Sequence, residues 1–95
     1  MIIKIKFEYE SESDYIYCPD GFMINMNKFF EWIYGDKEHR FWVYDELGER
    51  LGVEYRSDAV VEWINNNIKL SIEDKSYIID TFSNKNREYD LQIEL

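Results

Sequence analysis

From Ile2 to Tyr9 apolar and polar residues alternate: Ile3, Ile5, Phe7 and Tyr9 are separated by Lys4, Lys6 and Glu8. A period of two gives one buried and one wetted face, so the pattern predicts a strand over 2–9. The same alternation returns at the other end of the chain. There Tyr89, Leu91, Ile93 and Leu95 interleave with Glu88, Asp90, Gln92 and Glu94, which predicts a strand over 88–95. Glu10 to Asp14 reads as a polar turn, Tyr15 to Cys18 as extended chain, and Pro19-Asp20-Gly21 as a turn.

Between these ends the period changes. Met26, Phe29, Phe30 and Ile33 fall at i, i+3, i+4 and i+7, which predicts a helix over 26–34. Asn25 stands as its N-cap and Gly35 as a left-handed stop. Phe41 to Tyr44 and Leu51 to Tyr55 flank a polar, Gly-bearing loop and predict a hairpin. Val60, Val61 and Ile64 share one face of a second helix over 58–66, with Ser57 as cap, Asp58 in its first turn and Asn65-Asn66-Asn67 as its end. Ile68, Leu70 and Ile72 alternate, and Tyr77 to Phe82 is rich in β-formers, so the last third reads as an antiparallel meander.

The expected fold is α+β: an antiparallel sheet with two short helices on one face, in the order β-β-α-β-β-α-β-β-β. Residues 1–95 form a single compact domain, since no linker or low-complexity segment divides them. One internal likeness stands out. FFEWI at 29–33 and VVEWI at 60–64 lie 31 residues apart, and Gly21 precedes the first as Gly52 precedes the second. The segments 21–34 and 52–65 therefore read as a strand–helix unit present twice, too few copies for a solenoid. Trp32 and Trp63 then sit at the rim of the helix–sheet core, architecture first and partner anchors second.

Charge changes the picture more than any motif. Twenty Asp and Glu against eleven Lys and Arg give a net charge of −9. Such a surface repels nucleic acid and anionic membrane and attracts cationic proteins, so neither direct nucleic-acid binding nor membrane association is expected. No apolar run is long enough to span a bilayer, and the start is too short in apolar residues for a signal peptide. Cys18 is the only cysteine, which excludes an internal disulfide and fits a reducing cytoplasm. An abundance of Ile, Lys, Asn, Tyr and Phe, residues with A/T-rich codons, hints at a low-GC bacterium or its phage.

Candidate chemistry is sparse. His39 is the sole histidine and lies in a charged loop, where solvation is the simplest reading. Cys18 has no basic neighbour in sequence to lower its thiol pKa and reads as buried filler. One His and one Cys are too few for a transition-metal site, and no EF-hand spacing or Gly-rich phosphate loop occurs. Neither an enzyme nor a bound cofactor is expected. What remains is acidic surface: Glu8, Glu10, Glu12 and Asp14 at one strand end, Asp45, Glu46 and Glu49 at the hairpin tip, and Glu88, Asp90 and Glu94 along the last strand. Rows of carboxylates on a rigid sheet answer to the same Lys and Arg clefts that bind phosphates.

The chain thus resembles in kind, without matching a specific family, the small acidic phage proteins that defeat restriction and CRISPR nucleases. The resemblance implies a cytoplasmic inhibitor, in a bacterium or an infected host cell, that occludes a basic nucleic-acid-binding protein by nucleic-acid mimicry. An immunity protein or antitoxin against a nuclease toxin would use the same surface. A structural protein that self-associates, for instance as a homodimer, would instead use the edges of strands 2–9 and 88–95.

Overall fold

The computed structural model describes residues 1–68 and 74–95. Its elements are β1 (Ile2–Lys6), β2 (Ser13–Tyr17), α1 (Met26–Gly35), β3 (Trp42–Tyr44), β4 (Arg50–Val53), α2 (Ser57–Asn67), β5 (Tyr77–Ser83) and β6 (Leu91–Glu94). The fold is α+β: a mixed four-stranded sheet in the order β5-β2-β1-β6, two helices, and a separate β3–β4 hairpin. The short dimension of the molecule is 21 Å, which suits one helix layer on one sheet.

The sheet differs from a meander. β1 pairs antiparallel with β2 but parallel with β6, with Ile3 opposite Leu91 and Ile5 opposite Ile93. This makes β1 a central strand and not an edge, which explains why Ile3 and Ile5 are fully buried. β5 joins the other side, antiparallel to β2. The connection from β5 to β6 must therefore cross the outer face of the sheet. It does so over Tyr15, which shares that face with Lys4. The Tyr15 hydroxyl donates to the Lys85 carbonyl, and the Arg87 guanidinium lies 5.7 Å from the Tyr15 ring. Covered in this way, an outward-facing tyrosine is 1% exposed.

Several local expectations hold and others give way to tertiary contacts. The Asn25 side chain caps α1 by accepting from the amides of Asn27 and Lys28. Gly35 stays helical and supplies no left-handed stop; among glycines only Gly21 and Gly48 take positive φ. Ser57 is the first residue of α2 and does not cap it, because its hydroxyl is drawn to Asp14. No Asn at the end of α2 takes positive φ; the Asn67 side chain instead donates to the Trp63 carbonyl. β1 stops at Lys6 because Tyr9 turns out of the strand at φ 67° and is 98% exposed. The strand expected at 68–72 falls largely on 69–73, outside the described residues.

The core forms where the inner face of the sheet meets both helices. Ile3, Ile5, Ile16, Cys18 and Ile93 lie beneath Phe29 and Ile33 of α1 and Ala59, Val60, Trp63 and Ile64 of α2. The two EWI segments carry the same burial phase: Phe29 and Ile33 match Val60 and Ile64 at 0% exposed. Their approaches differ, since Gly21 is in a left-handed turn and 22–24 is irregular, whereas Gly52 lies inside β4. Phe29 is the aromatic hub. Its ring centroid is 5.6 Å from both Tyr55 and Trp63 and 6.0 Å from Trp32, mostly edge-on.

His39 joins the hairpin to α1 and is half-buried, not loose in solvent. Nε2 donates to the Ile33 carbonyl at 2.8 Å while Nδ1 accepts the Phe41 amide at 3.2 Å, which selects one neutral tautomer. The imidazole stacks on Trp42 at 5.2 Å, and the Trp42 indole donates to the Asp36 carbonyl. An isolated two-stranded hairpin is marginal in water, so these contacts supply what β3 and β4 lack.

Phe29→Ala should lower unfolding stability by about 3–5 kcal/mol through the cavity it leaves. Urea unfolding followed by tryptophan fluorescence measures the loss. A change below about 1 kcal/mol would show that the helices do not pack through this ring.

Candidate interaction surface

The acids singled out from sequence separate into three groups. The first run does not form one surface. Asp14 points inward from β2 and is 0% exposed, so its carboxylate has nothing to present to a partner. Glu10 is half-buried on an arginine, Glu12 is half-buried, and only Glu8 is exposed. At the hairpin tip Asp45 accepts from the amides of Leu47 and Glu49 and so fixes the turn, with Glu46 and Glu49 exposed beside it. Trp63 is 5% exposed and packs edge-on against Phe22, which withdraws it from any contact surface. Trp32 remains half-buried, 4.9 Å from the His39 ring.

The third group stays together. Glu88, Asp90 and Glu94 are exposed along β6 and its approach, on the free side of the sheet. Asp90 is locked by backbone at both ends: its amide donates to the Ile2 carbonyl, and its carboxylate accepts the Ile2 amide at 2.7 Å. Glu8 continues the row, because its amide donates to the carbonyl of Leu95 at 3.0 Å. Among the described residues none of these four carboxylates has an ion-pair partner. Lys4, on the neighbouring strand, lies over the Tyr89 ring at 5.2 Å, and Lys6 is the cross-strand neighbour of Glu94. The edge is therefore anionic, ordered and flanked by two lysines.

Sequence reasoning missed the densest charge cluster. The Arg56 guanidinium lies over two rings, its central carbon 4.1 Å from the Phe7 centroid and 3.9 Å from that of Phe82. Its Nη1 donates to both oxygens of Glu10, at 3.0 and 2.8 Å, and Nη2 donates to Asp14 at 3.1 Å. Asp14 also accepts from the Ser57 hydroxyl at 2.6 Å and from the Phe82 amide at 3.0 Å. The partners lie 42 to 68 residues apart along the chain, so no local pattern announces them. Phe82 takes φ 50°, a conformation costing on the order of 1–3 kcal/mol for a non-glycine residue, and the carboxylate on its amide holds it there. Arg56 Nε is buried without an acceptor, so the junction is not fully satisfied.

This cluster reads as structure, not chemistry. Burial pushes the Asp14 pKa up, but the Ser57 hydroxyl, the Phe82 amide and Arg56 together outweigh it, and the net shift is below 3.8. Cys18 is buried and its thiol pKa is raised, chiefly by burial, which suits a packing role. Among the described residues no three His, Cys, Asp or Glu side chains converge as a metal site, and no helix is long and apolar enough to cross a membrane. No known protein family, curated protein or solved structure matches the chain.

Two predictions come from the Arg56 junction. Arg56→Ala leaves a carboxylate buried without its cation and should cost about 3–5 kcal/mol; Arg56→Lys should rescue little, since an ammonium cannot bridge two acids between two rings. Chemical denaturation of the three proteins measures this. Because the Asp14 pKa is lower folded than unfolded, its contribution is complete above 3.8 and is lost as pH falls through the folded value. Asp14→Asn should flatten the acid limb of stability below pH 3.8, and an unchanged limb would locate the acid sensitivity elsewhere.

Proposed function

We propose that this chain is a small acidic inhibitor that docks on a basic nucleic-acid-binding protein, such as a nuclease, and occludes its site by mimicking nucleic acid. The observation that supports this reading is the row Glu88, Asp90, Glu94 and Glu8. It offers exposed carboxylates that have no ion-pair partner among the described residues, with Asp90 fixed by two hydrogen bonds to Ile2. A carboxylate oriented before binding loses less freedom on meeting a Lys or Arg, and a guanidinium accepts it as it accepts phosphate. The hairpin-tip acids add to the field that steers encounter.

Occlusion requires no catalytic residue on the inhibitor. A cytoplasmic setting follows from such a target and from a lone unpaired thiol. The net charge of −9 does the steering, and the ordered edge does the recognition.

A direct test expresses the chain in bacteria carrying a restriction or CRISPR nuclease and scores phage plating. Wild-type protein should raise plating by orders of magnitude. The triple change Glu8→Lys, Glu88→Lys and Glu94→Lys, which leaves Asp90 and the core intact, should abolish the effect. With purified target, binding should weaken steeply as salt rises and should compete with duplex DNA. Inhibition that survives the triple charge reversal would remove the mimicry.

A further inference from the structure

The opposite side of the sheet carries a different surface. Among the described residues β5 borders the sheet, three strand spacings from β6, or about 14 Å. Exposed edge strands are commonly blunted with lysine, proline or a covering segment. β5 reads Tyr-Ile-Ile-Asp-Thr-Phe-Ser, with no lysine, arginine or proline, and its single charge, Asp80, lies 3.8 Å from Arg87. Tyr77 is 56%, Ile78 41% and Phe82 55% exposed. Beside the strand runs a cleft of about 390 Å³, lined by Ile78, Thr81 and Phe82 on one wall and by Glu54, Tyr55 and Asp58 on the other.

We infer that this edge and cleft form a second docking site, one that takes an extended peptide segment by β-strand addition to β5. The occupant is a segment of a partner protein in which apolar residues alternate with lysine or arginine. Three features specify it. The apolar wall of Ile78 and Phe82 accepts the face of an added strand that turns to the cleft, with Glu54 on the facing wall, and the strand's period of two sends its other residues to the outer face, on the side of Asp80 and Tyr15. Glu54 is exposed and its side chain makes no hydrogen bond or ion pair among the described residues, so it is free to meet a cation. The strand is also rigid before binding, since the Phe82 amide is tied to Asp14 and its ring is stacked on Arg56.

A second copy of this chain fits less well. A two-fold antiparallel pairing centred on β5 would set two Asp80 carboxylates opposite each other, which is destabilising. The site is independent of the acidic edge and stands or falls without it.

The test uses the full chain, isotopically labelled, and three capped peptides: alternating lysine–valine, alternating lysine–serine and alternating glutamate–valine. The lysine–valine peptide should shift amide resonances of 77–83 and 54–58 and slow their hydrogen exchange, and the other two should not. Ile78→Lys should weaken this binding by at least about tenfold, and Glu54→Lys, a change to an exposed residue, provides the check if the first variant misfolds. Glu94→Lys should leave it unchanged. Shifts confined to β6, equal binding of the lysine–serine peptide, or a concentration-dependent dimer that Ile78→Lys dissolves would each overturn the assignment.

Discussion

The structure turns on one guanidinium. Arg56 sits at the entrance to α2 and reaches the end of β1 through Phe7, the β1–β2 turn through Glu10, β2 through Asp14, and β5 through Phe82. Two rings close to a delocalised cation that also donates to two carboxylates use properties that distinguish arginine from lysine. A buried charge pair is not by itself a gain in stability, because desolvation offsets much of the attraction. Its effect here is to specify. Ser57 and the Phe82 amide both converge on Asp14, so the register of β5 and the position of α2 are decided at the same point.

From that junction the two sides of the sheet acquire different characters. β6 closes the sheet beside β1 with its buried residue Ile93 inward and its acids outward. β5 closes the other side with an apolar strand whose backbone is bent to satisfy a carboxylate. One edge therefore presents charge, and the other presents apolar surface beside a cleft. A small protein with two such edges can match electrostatics on one side and shape on the other.

Much of this was readable in the chain, for definable reasons. Helices α1 and α2 follow from stripes at i, i+3 and i+4, and the hairpin from two β-rich runs around a glycine; the alternation read over 88–95 holds at Ile93, whereas Tyr89 and Leu91 are exposed like the acids between them. These are local signals. The parallel pairing of β6 with β1 was not legible, because alternation reports which face is buried and says nothing about which strand lies alongside. Asp14 was misread as surface because it follows a polar turn; its cation lies 42 residues away. Ser57 was read as a cap because its position before a helix is right, and only the buried Asp14 carboxylate draws the hydroxyl away. His39 looked like a solvated loop residue, and only the approach of α1 and the hairpin gives both ring nitrogens backbone partners.

Native-state hydrogen exchange at the Phe82 amide addresses the junction most directly. That amide belongs to an edge strand and to an exposed residue, and it donates to a side chain, so by position alone it should exchange quickly through local opening. If Arg56 and Asp14 bind the layers into one unit, it exchanges only through global unfolding, with the same opening free energy as the amides of Ile5 and Ile16. Exchange faster than those two by orders of magnitude would show that β5 opens on its own, and the junction would then be an ornament on a fold held together elsewhere.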